Sequence, residues 1–397
     1  MLHQDRIARR RPGVGRLVCA LAVVAPLVGD AIAAKAEPVE ATVEIAPVET
    51  ALTFARTGGE ADRRLLAVTE YRDGIVAAVD VSRALGRPVR DPIAVFYGEG
   101  YDGLAKLVST APADTRVSLP VSELAVPVDL ADRHIAAGTN YPIHADEADV
   151  EDGPFLFAKL VRPTPARSTV RHRGGLLDYE AELGWVTLEP VDPGSVPSSM
   201  PEWMGVILCN DYTDRETLML HIDPWDPASG VGFATGKSFE GYLPVGDLFV
   251  IPRDYRAFAR ERELTLWVDG ELRQQAQVSQ AVWQIDDLVS EIGARRDLRW
   301  DHRGASVGLL AASGPIPART ILLGGTPGGT IFQGPDTNQK LRGAAAWLLG
   351  GWGRPLAAHV IDATINDAHL ADIYLKSGSR VQVRVDGLGM IDNTIAD

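Results

Sequence analysis

Leu177-Asp178-Tyr179-Glu180-Ala181-Glu182-Leu183, followed by the apolar run Gly184-Trp185-Val186-Thr187-Leu188, is the stretch on which the reading of this chain turns. Aromatic and β-branched residues alternate there with other types, which is the pattern of a β-strand. Side chains two apart in a strand share a face. Glu180 and Glu182 are therefore expected to project together, roughly 6.5–7 Å apart along the chain, with Ala181 and Leu183 on the opposite side. Two carboxylates on one face repel unless a positive charge lies between them, and a hard divalent cation with oxygen ligands is a natural occupant. A bare Glu-x-Glu also describes a solvated strand face, so the neighbouring sequence has to decide.

The chain has 397 residues, 46% hydrophobic and 23% charged, a globular composition with room for one or two domains. Arg6, Arg9, Arg10, Arg11 and Arg16 precede a short apolar run from Leu17 to Gly29, and small residues follow at Ala31, Ala33, Ala34 and Ala36. That layout predicts a secretory signal peptide over 1–36 and a periplasmic or secreted protein, with an uncleaved anchor as the lesser alternative. Removing 1–36 takes away six basic and two acidic residues. It leaves 33 Lys+Arg against 51 Asp+Glu, a net charge of −18. So acidic a surface excludes nucleic acid and anionic membranes as natural partners. Cys209 alone remains after that removal, so no intrachain disulfide and no cysteine-based zinc site is possible, and its apolar setting predicts a buried small residue.

Along the chain, 37–59 is expected to be a lead-in segment and 60–131 a small N-terminal domain. Arg64 to Val68 and Ile75 to Val79 pair around the turn Asp73-Gly74, and Tyr101 to Thr110 has helical spacing. From 132 to 397 short strands dominate: Phe155 to Val161, Leu248 to Ile251, Leu264 to Val268 before the turn Asp269-Gly270, Thr320 to Leu323, and Arg380 to Val385. Helices are expected at Gln284 to Ile292 and Ala368 to Leu375. The fold class is β-rich α+β.

Four further features accompany the paired glutamates. In Tyr141-Pro142-Ile143-His144-Ala145-Asp146-Glu147, Pro142 can open a helix that places His144 and Glu147 three apart on one face, a geometry suited to a general base held by a carboxylate. In Cys209-Asn210-Asp211-Tyr212-Thr213-Asp214-Arg215, Asp211 ends an apolar strand and can offer a third carboxylate, while Arg215 can receive an anionic group. Gly236-Lys237-Ser238 lacks the spacing of a phosphate loop. Gly324-Gly325-Thr326-Pro327-Gly328-Gly329 lets backbone amides approach a neighbour closely.

In this order, and closing on Val383-Arg384-Val385-Asp386-Gly387-Leu388-Gly389-Met390-Ile391-Asp392-Asn393, these blocks make residues 132–393 similar to the fumarylacetoacetate hydrolase family. The resemblance implies a catalytic domain of rolled, mixed β-sheets, a homodimer, and Mg²⁺ (or Mn²⁺ or Ca²⁺) as cofactor. It implies Glu180, Glu182 and Asp211 as metal ligands, His144 and Glu147 as the water-activating dyad, and Lys237 as the stabiliser of developing negative charge. Arg215 and Thr326 would face the substrate. Lys159 also falls in a family block, without an assigned role. The chain departs from the family pattern at Leu218, where a Gln is usual, at Asp214 before the arginine, and in a longer His221 to Phe233 segment.

The expected activity is metal-dependent hydrolysis of a carbon–carbon bond in a small acylpyruvate or related β-dicarbonyl acid. Oxaloacetate decarboxylation, or oxo-acid isomerisation or hydration, would use the same site. An oxo-acid binding protein without catalysis is the alternative of a different class.

Overall fold

The computed structural model describes residues 39, 41–59, 63–195, 200–311 and 314–397; the expected signal segment 1–36 lies outside them. Within the described residues no helix is long and apolar enough to cross a membrane.

A mixed 11-stranded sheet carries the fold. Ten of its strands are β1 Ala51–Thr57, β2 Arg64–Arg72, β3 Ile75–Asp80, β4 Arg116–Pro120, β5 His134–Gly138, β6 Phe155–Lys159, β7 Ala181–Thr187, β8 Met204–Asn210, β9 Val245–Pro252 and β10 Ile321–Leu323. Their spatial order is β4-β3-β2-β1-β9-β8-β7-β10-β5-β6, with the short strand Leu124–Ala125 also paired to β1. Only the β10–β5 pairing in this order is parallel. β2 and β3 join through Asp73 and Gly74 at φ of 52° and 72°, the left-handed pair that a tight hairpin turn needs.

β7 and β8 are buried along their whole length. Their near-continuous apolar runs follow from cover on both faces. On one face, Leu183, Trp185, Val206 and Leu208 share a core with the second sheet. On the other, Val186, Ile207 and Cys209 pack with Ile93, Phe96 and Leu104 of the helix Pro92–Thr110. Cys209 is a buried free thiol, as its setting predicts. The second sheet has five strands in the order Glu271–Gln277, Glu263–Val268, Arg380–Val385, Gly389–Ala396 and Thr169–Arg171.

The large sheet runs across the 131/132 position at which a boundary was expected. Residues 51–57, inside the expected lead-in, form β1, which is wholly buried between β2 and β9. Leu52 and Phe54 point into one core and Ala55 into another, an alternation only seven residues long.

Five helices matter for the site: α1 Pro142–Glu147, α2 Arg215–His221, α3 Phe233–Lys237, α4 Thr337–Leu348 and α5 Leu356–Ala371. The helix expected at Ala368 to Leu375 is the end of α5, which stops at Ala371 because Asp372 turns left-handed at φ 55°. α4 carries no sequence stripe to betray it, since Gly343 is its sole buried residue.

Candidate metal centre

Glu180 does not lie in the same continuous strand as Glu182. Leu177–Asp178 pairs with Thr213–Asp214, β7 begins again at Ala181, and Tyr179 and Glu180 form a break between them. The break has a chemical cause. The Tyr179 amide donates to Oδ1 of Asp178 at 2.9 Å, and the Glu180 amide to Oδ1 of Asn210 at 3.0 Å, so side chains take the place of ladder partners. Across it, the Asp211 amide donates to the Glu180 carbonyl at 2.8 Å. Asp211 is thereby fixed beside the two glutamates at the end of β8.

The three carboxylates meet: one ligand oxygen from each of Glu180, Glu182 and Asp211 falls within 4.8 Å of the others, and all three are buried. Their surroundings are uneven. Glu180 receives Arg215 Nη2 at 2.7 Å, Thr213 Oγ1 at 3.3 Å and Lys237 Nζ at 2.8 Å. Asp211 is bound by Lys159 Nζ and lies 3.2 Å from Lys237 Nζ. Among the described residues Glu182 receives only the Gly325 amide, 2.8 Å from Oε2, and its buried Oε1 finds no partner.

The electrostatics follow. Burial alone would raise Glu180, but Lys237, Arg215 and His144 outweigh it and hold the carboxyl at about 2. For Glu182, burial, then the charges of Asp211 and Glu180, push the carboxyl well above its ordinary range. Burial pulls Lys237 down, yet Asp211 and Glu180 together leave it raised. Lys159 is lowered, by burial first. Counting Asp178 and Arg215, the network sets four acids against three bases, and Glu182 is the acid left over, pushed toward its neutral form. An orphaned buried oxygen in an all-carboxylate donor set fits a hard divalent cation of the Mg²⁺, Mn²⁺ or Ca²⁺ kind.

The expected dyad stands on α1. Pro142 occupies its first turn after Tyr141, and His144 and Glu147 come 3.6 Å apart (Nδ1 to Oε2), beyond a formed hydrogen bond. Glu147 is anchored from behind by the Gly329 amide at 2.9 Å. A cavity of about 330 Å³ receives His144, Glu180, Arg215, Lys237 and Thr326 on its wall. Glu182, Asp211 and Glu147 do not line it, and Glu147 is held instead by the Gly329 amide of the glycine loop. Arg215 reaches the wall with Nε on Asp178 at 2.8 Å and Nη2 on Glu180, so its guanidinium holds a cluster carboxylate in place. Thr326 is oriented by Gln274 Nε2 at 2.9 Å.

A model of the family described as fumarylacetoacetate (FAA) hydrolase C-terminal matches residues 133–396. The chain belongs to this family. An uncharacterised protein of Staphylococcus saprophyticus is 28% identical over 184 residues, 45% of this chain and 58% of that protein. The chain thus covers under two-thirds of the length of such curated relatives. Among solved structures, the fumarylacetoacetate hydrolase of Exiguobacterium antarcticum superposes with a TM-score of 0.52 at 18% identity, over 87% of this chain and 99% of that one. A probable 2-hydroxyhepta-2,4-diene-1,7-dioate isomerase of Mycobacterium abscessus does so with a TM-score of 0.51 at 19% identity, over the same shares. These likenesses establish the fumarylacetoacetate hydrolase fold.

Several residues that shape this family member's site have no role assigned to them by the sequence reading. Asp178 accepts the amides of Ile331 and Phe332 at 3.0 and 3.1 Å besides Arg215. Asn140 ties the Trp283 amide (2.7 Å) and the Gly324 carbonyl (2.8 Å) to the start of α1. Lys159, left without a role above, joins Asp211 to the Lys237 carbonyl. Asp214, one of the departures, caps α2 through the Thr217 amide at 2.9 Å. Leu218, another, lines the cavity.

Proposed function

We propose that the protein is a divalent-metal-dependent hydrolase that cleaves the carbon–carbon bond of an acylpyruvate or related β-dicarbonyl acid. The observation that carries this reading is the buried Glu180, Glu182 and Asp211 cluster, with its orphaned Glu182 oxygen, set behind a cavity that His144 also lines. A divalent cation held by those three carboxylates would supply Lewis acidity toward the substrate's carboxylate and adjacent oxo group.

The chain's own groups account for the proton and charge movements. His144 directs Nδ1 toward Glu147, which leaves Nε2 to accept a proton from water. The water oxygen bonds to the distal carbonyl carbon, and the bond from that carbon to the methylene breaks. A carboxylic acid leaves, and the electron pair remains on pyruvate as its enolate, which then takes up a proton. The Lys237 ammonium is fixed between Glu180 and Asp211 at the cavity wall, where it opposes the enolate's negative charge. The same reading takes the protein to be exported and homodimeric, on the strength of the N-terminal residue pattern and the family resemblance.

The full chain incubated with acylpyruvates and oxaloacetate, with Mg²⁺, Mn²⁺ or chelator, tests this. Pyruvate and the matching carboxylic acid should form only with metal. Turnover indifferent to chelator, or decarboxylation of oxaloacetate to pyruvate and carbon dioxide as the sole reaction, would overturn the hydrolase reading.

A further inference from the structure

The wall of the cavity beside the acidic cluster has two unlike parts. His144, Glu180, Arg215 and Lys237 occupy one. Most of the other lining side chains are hydrocarbon: Phe157 from β6, Leu218 and Met219 from α2 and Phe233 from α3 contribute, together with two segments outside the sheets. The 221–233 segment brings Ile222, Pro224 and Trp225, and α5 brings Leu356, Val360 and Ile361. The α5 residues fall at i, i+4 and i+5, so a single helical face forms this part of the wall.

The α4–α5 hairpin that carries the wall is firmly placed. Gly343 lets the helices close, since a Cβ there would lie 2.6 Å from the Val360 backbone nitrogen. Asp336 caps α4 through the Gln339 amide at 2.7 Å, and Gln339 in turn reaches Asp367 on α5 at 3.1 Å. α5 is fastened to α2 through His369 and Glu216 at 2.8 Å and through Ile365 against Met219. The charged pair on the wall away from the cluster, Lys340 and Asp149, is satisfied within itself at 2.7 Å. Among the described residues of that part of the wall, a second carboxylate on the substrate would have to compete with Asp149 for Lys340.

We propose that this apolar chamber binds the acyl tail of the substrate, and that the enzyme selects oxo acids with a medium-chain hydrocarbon tail over short-chain or dicarboxylic ones. The polar part's role rests on the function proposed above; the tail's selection rests on the chamber itself. Its volume of about 330 Å³ lies in the range that holds small organic ligands.

Two measurements on the full chain test this separately. Calorimetry with Mg²⁺ and a series of straight-chain 2-oxo acids, from pyruvate to 2-oxodecanoate, reads tail binding without any need for cleavage. Affinity should tighten about fourfold per methylene until the chamber is filled. In parallel, kcat/KM for acetyl-, butanoyl-, hexanoyl- and octanoylpyruvate should climb in the same order, with fumarylpyruvate far below octanoylpyruvate. Ala357→Trp and Ile361→Asn, which fill or polarise the wall, should each cut the long-to-short ratio at least tenfold. Affinity flat or falling with length, or fumarylpyruvate as the better substrate, overturns the proposal. Length-dependent binding with no acylpyruvate cleaved would instead uphold the chamber and remove the hydrolase reading.

Discussion

The backbone amide of Gly325 donates to Oε2 of Glu182 at 2.8 Å, and it is the single hydrogen bond found for that carboxylate among the described residues. Four residues on, the Gly329 amide holds Glu147 at 2.9 Å. One loop therefore positions a cluster carboxylate and the carboxylate of the dyad. Gly325 has φ of +81°, and a Cβ there would lie 2.8 Å from Asn140 Cβ and 3.1 Å from the Ala137 carbonyl oxygen. Gly325→Ala should cost about 1–3 kcal/mol of stability and weaken Mg²⁺ binding by displacing Glu182. Denaturant titration and calorimetry read the two effects. A folded variant with unaltered Mg²⁺ affinity would show that the loop does not position the cluster.

The cluster's acids differ in what they owe their neighbours. Asp211 neutralises Lys159 and Lys237, both buried. Asp211→Asn should lose about 3–5 kcal/mol, because buried charges are left without a full partner. Among the described residues Glu182 has no ion-pair partner of its own, and it is repelled by Asp211 and Glu180. Glu182→Gln should fold as stably as the parent in chelator, or more so, while losing Mg²⁺ affinity. Equal destabilisation by the two variants would contradict this division.

Proton linkage gives the same site a pH signature. Burial and its acidic neighbours raise the Glu182 carboxyl in the folded chain. The folded protein then retains a proton that the unfolded chain gives up, so this group favours folding at low pH and opposes it as pH rises through the raised value. A cation must displace that proton. Mg²⁺ affinity should therefore increase with pH, with proton release visible in calorimetry across buffers of different ionisation enthalpy. The rise in Tm on adding Mg²⁺ should also be larger at higher pH. Binding without proton release at any pH would mean that Glu182 is already ionised or not a ligand.

His144→Ala should leave Mg²⁺ binding intact and depress acylpyruvate turnover by about 10²–10⁴, the usual contribution of a general base. Glu147→Gln should act through His144 and also strain the Gly329 contact. The split between kcat and Mg²⁺ affinity is therefore the informative readout, since a positioning role predicts loss of the first with the second kept. Unchanged turnover in His144→Ala would dismiss the dyad.

Local rules carried the site further than the global fold. The carboxylates were legible because Glu180-x-Glu182 and the strand-end Asp211 each sit within a few residues of a recognisable strand, and turn chemistry marked Asp73-Gly74 and Asp269-Gly270. The break at Glu180 was not legible, because Asn210 and Asp178 replace the ladder there from side chains whose intent no pattern announces. Asp178 and Gln274 went unseen for a related reason: their partners lie as many as 154 residues away in sequence. β1 reads as a short apolar patch until β9, about 200 residues later, supplies its pairing. The α4–α5 hairpin hid because Leu341, Leu348 and Leu370 face outward, which blurs the apolar stripe that would have revealed it.

Acid stability should report on a histidine that does not line the cavity. His134 on β5 is fully buried and its Nδ1 accepts the Ile321 amide at 3.1 Å, which joins β5 to β10. Burial, reinforced by the Lys159 charge, lowers its pKa to about 3. The unfolded chain takes up that proton near pH 6.5 and the folded chain only near pH 3, so the unfolded state is favoured progressively across this window. Each pH unit of the difference is worth about 1.4 kcal/mol, so His134 should account for roughly 4–5 kcal/mol of stability present above pH 6.5 and lost by pH 3. His134→Asn keeps an acceptor for the Ile321 amide and cannot titrate. The stability difference between parent and variant, from urea titrations at a series of pH values, should shift steadily against the parent as the medium is acidified. A difference independent of pH would show that the imidazole is not held neutral by its burial.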